Sequence, residues 1–289
     1  MLSNGRLNRN NSDIFRLLLL CMLPSGVPYM YLPERVKVTE ERESYSTITV
    51  SDIKEIPHHA LIVYGSKYCS GSLTGSRIVV TAASCFVNNK GETILVKVGS
   101  NSMVGSGQII SVLEYKIHEY FRYLSSLDND IALIILKEHV RFDGNVVKAQ
   151  LVESEVALRD GTPIKVSGWG GTDLPVKFLN LLLKSKMLVI NKTDCEQTYK
   201  SLLTPSNFCV RYKNEGRLSD NGGGATFDNI LVGILSWGAN SKNNIAILTN
   251  VSYFERWIKL NTNKFLTKYC VVKGNANQLG FHSEEYVES

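Results

Sequence analysis

Six cysteines and five histidines hold most of the nucleophilic, metal-binding and proton-transfer potential of this 289-residue chain. Cys69 and Cys85 lie sixteen positions apart and Cys195 and Cys209 fourteen, whereas Cys21 and Cys270 have no obvious local partner. No Cys-x-x-Cys occurs, so zinc and thioredoxin-like sites find no support, and neither a metal nor a cofactor is expected. Imidazole is the side chain that exchanges a proton near neutral pH. The chain offers it at His58, His59, His118, His139 and His282. His58 and His59 stand at the approach to a β-type run, which suits packing or the surface better than chemistry.

The elements that must position such groups are short. His59-Ala-Leu-Ile-Val-Tyr64, Arg77-Ile-Val-Val-Thr81, Ile94-Leu-Val-Lys-Val98 and Ile131-Ala-Leu-Ile-Ile-Leu136 are apolar, β-branched runs bounded by Gly, Ser or Asn. Similar runs recur at Ile164-Lys-Val166, Lys186-Met-Leu-Val-Ile190, Ile230-Leu-Val-Gly-Ile-Leu235 and Ile245-Ala-Ile-Leu-Thr249. Short strands at regular spacing with turn signals between them predict an all-β sandwich or barrel. One segment departs from this pattern. Val251-Ser-Tyr-Phe-Glu-Arg-Trp-Ile-Lys-Leu260 places Val251, Phe254 and Ile258 on one helical face, with Ser252 as N-cap and Glu255 as its capping-box partner.

The flanks read differently. Residues 1–25 carry Arg6, Arg9 and Arg16, then the apolar Leu17-to-Leu23 run, then small residues, the pattern of a secretory signal and too short for a membrane span. Removal of that segment would take Cys21 with it and leave Cys270 as an odd thiol. Residues 26–44, with Glu40-Glu-Arg-Glu43, read as a polar linker, and 265–289 as a polar tail without a clear period. The composition, 44% hydrophobic and 20% charged, is that of an ordinary globular protein. A net charge of +5 without a dense basic run or a nucleic-acid motif argues against a nucleic-acid partner.

Several landmarks follow one another in a telling order. They are Cys69-Ser-Gly-Ser-Leu73, Ile78-Val-Val-Thr-Ala-Ala-Ser-Cys85, Asp128-Asn-Asp-Ile-Ala-Leu133, Val166-Ser-Gly-Trp-Gly170, Cys195 to Cys209, Ser219-Asp-Asn-Gly-Gly223 and Leu235-Ser-Trp-Gly238. On these residues the chain resembles the chymotrypsin/trypsin-like (S1) serine proteases. The resemblance covers roughly residues 45–262 and ends at the Trp257 helix. It implies two packed six-stranded antiparallel β-barrels with a C-terminal α-helix and a cleft between the barrels. The implied domain spans 45–264, with barrel one at about 45–150, barrel two at about 151–250 and the helix at about 252–261. It also implies the disulfides Cys69–Cys85 and Cys195–Cys209.

The family's reaction needs a serine nucleophile, a histidine base, an aspartate to orient that base and two backbone N–H groups for the oxyanion. Where the family has its histidine, this chain has Ser84, whose hydroxyl is no base near neutral pH. Where it has the serine of Asp-Ser-Gly-Gly, this chain has Asn221, and a carboxamide does not attack carbonyls. Asp130 remains, and the expectation is a structural carboxylate bonded to Ser84. No working catalytic residue is therefore expected; Ser84, Asp130 and Asn221 are a degenerate triad.

The surrounding positions are altered too. Ser219 stands at the oxyanion-hole glycine, with Asn221 beside it. Glu215 maps loosely to the base of the specificity pocket, Ser236, Trp237 and Gly238 to one wall, and Ala246 to a wall glycine that its methyl would narrow. The disulfide that braces the family's pocket is replaced by Arg217 and Ser241. Activation cleavage in the family frees an ammonium that pairs with the aspartate beside the nucleophile, here Asp220. The corresponding stretch, Ser44-Tyr-Ser-Thr47, lacks the Ile-Val-Gly-Gly motif, so Asp220 is expected to find another donor or to face solvent. Asn191-Lys-Thr193 and Asn250-Val-Ser252 are glycosylation sequons, with Asn191 the less enclosed.

These features predict a secreted, catalytically inactive homologue that binds or regulates, with a protease, a protease inhibitor or a surface ligand as partner. Two alternatives are an active S1 endopeptidase with rearranged catalytic groups and a structural secreted component.

Overall fold

The computed structural model describes residues 48–87, 89, 91–151, 158–172, 179–212, 217–218, 220–238 and 244–270. In chain order the strands of the first half are β1 Thr49–Val50, β2 His59–Tyr64, β3 Lys67–Leu73, β4 Ile78–Thr81, β5 Ile94–Val98, β6 Gln108–Ile117 and β7 Ala132–Leu136. β2 to β7 close into an antiparallel barrel in the order β2-β3-β4-β7-β6-β5. Closure leaves these strands no open edge, which removes the hazard of unpaired backbone. β7 is buried at every residue. Its apolar run is continuous rather than alternating because both of its faces are covered, one by the barrel interior and one by a helix.

The second half contributes β8 Pro163–Gly168, β9 Gly171–Thr172, β10 Leu183–Ile190, α1 Lys192–Tyr199, β11 Asn207–Arg211, β12 Arg217–Leu218, β13 Gly224–Phe227, β14 Ile230–Trp237, β15 Ile245–Asn250 and α2 Glu255–Cys270. The barrel runs β8-β10-β11-β15-β14-β13 and closes between β13 and β8, with β1 paired to the start of β10. β10 alternates: Leu183, Ser185, Met187 and Val189 point inward and Lys184, Lys186 and Leu188 lie further out. That is the period of a half-covered strand. The expected pair of six-stranded barrels with a C-terminal helix is therefore the observed architecture. No helix among the described residues is long and apolar enough to cross a membrane.

The helix differs from expectation at both ends. α2 continues to Cys270, so residues 265–270 are helical rather than part of a tail. Phe254, Ile258 and Phe265 are buried against barrel one, and the buried Asn261 sits between them on the same face. That polar residue interrupts the apolar stripe and hides its 3.6-residue period from sequence. Glu114 of β6 then anchors the last turn through Lys268 at 2.6 Å and the Tyr269 hydroxyl. At the other end the cap is not Ser252. The Asn250 carboxamide oxygen accepts from the N–H groups of Ser252 at 3.1 Å and Tyr253 at 3.4 Å, and Ser252–Phe254 form a 3-10 turn ahead of the helix.

Candidate functional site

Asp130 lies at the junction of the two barrels. Asn129 before it adopts a positive φ of 51°, held by its own amide on the Tyr120 carbonyl at 2.9 Å and by Ser206 Oγ on its N–H at 3.0 Å. Asparagine tolerates that left-handed backbone better than most residues. Thr249 of β15 fixes the Asp130 carbonyl at 2.8 Å. The Asp130 carboxylate is fully buried and takes three donors. Ser84 N–H reaches Oδ1 at 2.7 Å, and the hydroxyls of Ser84 and Ser236 reach Oδ2 at 2.9 and 2.5 Å. Burial raises its pKa, against the hydrogen bonds from Ser236 and Ser84.

Ser84 is carried by the 3-10 turn Ala83–Phe86, which follows β4. Ala82 and Ala83 are fully buried beneath it, and the Cys69–Cys85 disulfide ties the turn to β3. The Ser84 hydroxyl donates to Asp130 and accepts from Asn221 Nδ2 at 3.0 Å. Asn221, Ser84, Asp130 and Ser236 thus form one hydrogen-bonded string, and the expected Ser84–Asp130 bond is present. The loop holding Asn221 needs its glycines. Gly222 has φ +86°, and a Cβ there would meet the Ser70 carbonyl oxygen at 2.0 Å. A cavity of about 480 Å³ opens beside this string, lined by Tyr64, Lys67, Tyr68, Gly170, Ser84 and Asn221 among others.

Among the described residues no imidazole touches Asp130. His139 is exposed and pairs with Ser76 at 2.7 Å. His118 packs edge-on to Phe254 and against Trp257. His59 does meet two hydroxyls, Ser167 at Nδ1 (2.9 Å) and Ser70 at Nε2 (3.0 Å). These groups are walled off, however: His59, Ser70 and Ser167 are each at most 1% exposed. Burial drives the His59 pKa down to about 3, so it stays neutral and is a weak base. Neither serine reaches the surface.

The His59 cluster ends on Asp220 instead. Ser70 Oγ donates to Asp220 Oδ2 at 2.5 Å, and Trp169 N–H donates to the same oxygen at 2.9 Å. Asp220 accordingly has other donors, as expected, and it is buried, with 8% of its surface left at the cavity wall. Sequence reasoning left His59, Ser70 and Ser167 unlinked to it. Only folding brings them together: the bonds His59–Ser70, His59–Ser167 and Ser70–Asp220 span 11, 108 and 150 residues.

The remaining expected positions divide. Ser236 is buried with its hydroxyl on Asp130, Trp237 is 45% exposed, and Gly238 lies half-buried after it. Ala246 is fully buried opposite Val210 in the core of barrel two, so its methyl is a core contact. Glu215, Ser219, Ser241, the stretch 44–47, the segments 1–25 and 26–44 and the tail beyond residue 270 lie outside the described residues. Both implied disulfides are formed, Cys69–Cys85 and Cys195–Cys209, the second joining α1 to β11. Asn191 is exposed and caps α1 by accepting from Asp194 N–H at 2.8 Å, while Asn250 is half-buried with its oxygen committed to the turn after β15.

Known proteins match the chain across both barrels. A sequence profile described as Trypsin matches residues 48–258. The chain is 32% identical to Trypsin of Sus scrofa over 213 residues, covering 71% of this chain and 89% of that protein. It is 32% identical to Trypsin 5G1 of Aedes aegypti over 194 residues, 64% of this chain and 72% of that one. Identity to the Vitellin-degrading protease of Bombyx mori is 28% over 225 residues, 75% and 85% of the two chains. Barrel topology, disulfide pairing and sequence match agree, and the chain belongs to the trypsin-like (S1) serine protease family.

Proposed function

We propose that this protein is a secreted, non-catalytic member of its family that binds or regulates, using the cleft and its rims as a recognition surface. Its partner is a protein: a protease, a protease inhibitor or a surface ligand. The observation that carries this reading is the string Asn221–Ser84–Asp130. Its proton inventory argues against acyl transfer. The Ser84 hydrogen points at the carboxylate, and its oxygen is occupied by an amide hydrogen. The Asn221 nitrogen is a donor with no basic lone pair. Losing base or nucleophile alone costs turnover on the order of a million-fold in this mechanism. The retained fold and the open cavity beside the altered triad positions fit a protein kept for its surface. Two disulfides suit an oxidising, extracellular compartment, and the exposed Asn191 is the better placed of the two glycosylation sequons.

A second reading, an active endopeptidase with rearranged groups, draws on relatives whose names are those of proteases. It needs an accessible imidazole–hydroxyl pair beside the cleft, and the His59 pairs are enclosed. A fluorophosphonate probe separates the two. The first reading expects no label on the purified protein and a stable complex with a partner co-purified from the native secretion. Label on any serine, with peptide cleavage that the probe blocks, would overturn it. Restored labelling in a Ser84→His, Asn221→Ser variant would further locate the lost chemistry at these two positions.

A further inference from the structure

Asp220 is a buried acid at the seam of the two barrels, and a buried carboxylate must be neutral or well paired. Its neighbours let every proton be assigned. Ser70 has one hydroxyl hydrogen, and at 2.5 Å from Asp220 Oδ2 that hydrogen belongs to the carboxylate. Ser70 Oγ must then accept from His59 Nε2 at 3.0 Å. A neutral imidazole with its hydrogen on Nε2 has a bare Nδ1, which accepts from the Ser167 hydroxyl at 2.9 Å. All three hydrogens therefore point one way, Ser167 to His59 to Ser70 to Asp220. Aligned donors polarise one another and strengthen the last bond.

The relay also spans the seam. Ser70 belongs to β3 of barrel one, Ser167 to β8 of barrel two, and Asp220 to the loop of barrel two that carries Asn221. Ser70 grips that loop twice, since its backbone N–H also donates to the Asn221 carbonyl at 2.9 Å. Trp169 N–H adds a fixed donor from the end of β8. We infer that Ser167, His59 and Ser70 are a positioning relay that holds Asp220 and the Asn221 loop in the uncleaved chain, in place of an ammonium freed by cleavage. Asp220 Oδ1 has no hydrogen-bond partner among the described residues, so a new ammonium is a real competitor to be tested. The inference concerns how the loop is held, and it stands apart from whether the cleft is catalytic.

Thermal unfolding of the full chain tests it. Ser70→Ala, which leaves the carboxylate short of its main side-chain donor, is expected to lower Tm by roughly 3–8 °C. Adding Asp220→Asn to Ser70→Ala is expected to recover at least half of that loss, because the charge that needed the relay is gone. A loss that Asp220→Asn leaves untouched would make Ser70 a packing residue and overturn the inference. If Ser70→Ala fails to fold, His59→Gln with and without Asp220→Asn gives the same comparison one link further out. A second arm replaces residues 40–44 with a site-specific protease sequence and cuts the folded protein. Cutting is expected to leave Tm within about 1 °C. A rise of several degrees that vanishes in Asp220→Asn would identify the ammonium as the partner and overturn the relay.

Discussion

Asp130 and Asp220 are both buried aspartates at the junction of the barrels; Asp130 takes serine hydroxyls from both barrels, whereas Asp220 takes one from barrel one and a backbone N–H from barrel two. They differ in what stands behind the hydroxyls. At Asp130 the string ends on a carboxamide at the wall of an open cavity. At Asp220, which lines the same cavity, the string runs inward through an enclosed imidazole to Ser167. Among the described residues, the one imidazole that bonds serine hydroxyls next to a buried carboxylate is thus one enclosed within the fold. Access and residue type must coincide before buried polar groups become chemistry; otherwise they only join the barrels.

Three measurements sharpen or break this comparison. The largest effect belongs to Asp130→Ala, which strips the acceptor from Ser84 N–H and from two hydroxyls in one step. Unfolding in urea should show a loss of about 4 kcal/mol, since each stranded buried group costs about 1–3 kcal/mol. A loss below about 1 kcal/mol would mean that water enters and the site is not closed as described.

The pH dependence of Asp220 comes next. Burial pushes its carboxyl up to about 6 from 3.8, outweighing the bonds from Ser70 and Trp169. Between those two values only the folded protein holds the proton. The contribution to stability is therefore complete at pH below about 4 and is lost as pH rises through about 6, on the order of 3 kcal/mol in all. Asp220→Asn should lack that fall, so the difference between wild type and variant across pH 4–7 isolates it from Asp130, whose pKa is also raised. Parallel curves for the two proteins would refute the burial of Asp220. The smallest effect is that of Asn221→Ala, which removes one half-buried donor from Ser84 and leaves the carboxylate bonds intact. It should cost about 1 kcal/mol in the same urea titration. A loss near that of Asp130→Ala would make Asn221 part of the carboxylate's support.

Much of the site was legible because the resemblance fixes which positions meet. Ser84 and Asp130 were expected to bond, and they do, 46 residues apart. Asn221 at the third position was equally plain, although its donation to the Ser84 oxygen was not. The Asp220 relay was opaque for a different reason. Ser70 and Ser167 are small hydroxyl residues in strands of mixed polarity, and nothing local marks them as facing each other across an imidazole. The helix was read half right. Its apolar face was visible to Ile258, but Asn261 masked the continuation to Phe265, which burial against barrel one makes favourable.

Sequence alone settled the chemistry of each position: a hydroxyl at Ser84, a carboxamide at Asn221, carboxylates at Asp130 and Asp220, and the short apolar, β-branched runs that make barrels. Those properties are covalent and local, so no fold can alter them. Only the tertiary structure decided which hydroxyl gives its hydrogen to which carboxylate, which tautomer His59 adopts and which centre opens to solvent. Donor direction and proton affinity depend on burial and on neighbours brought together from distant parts of the chain.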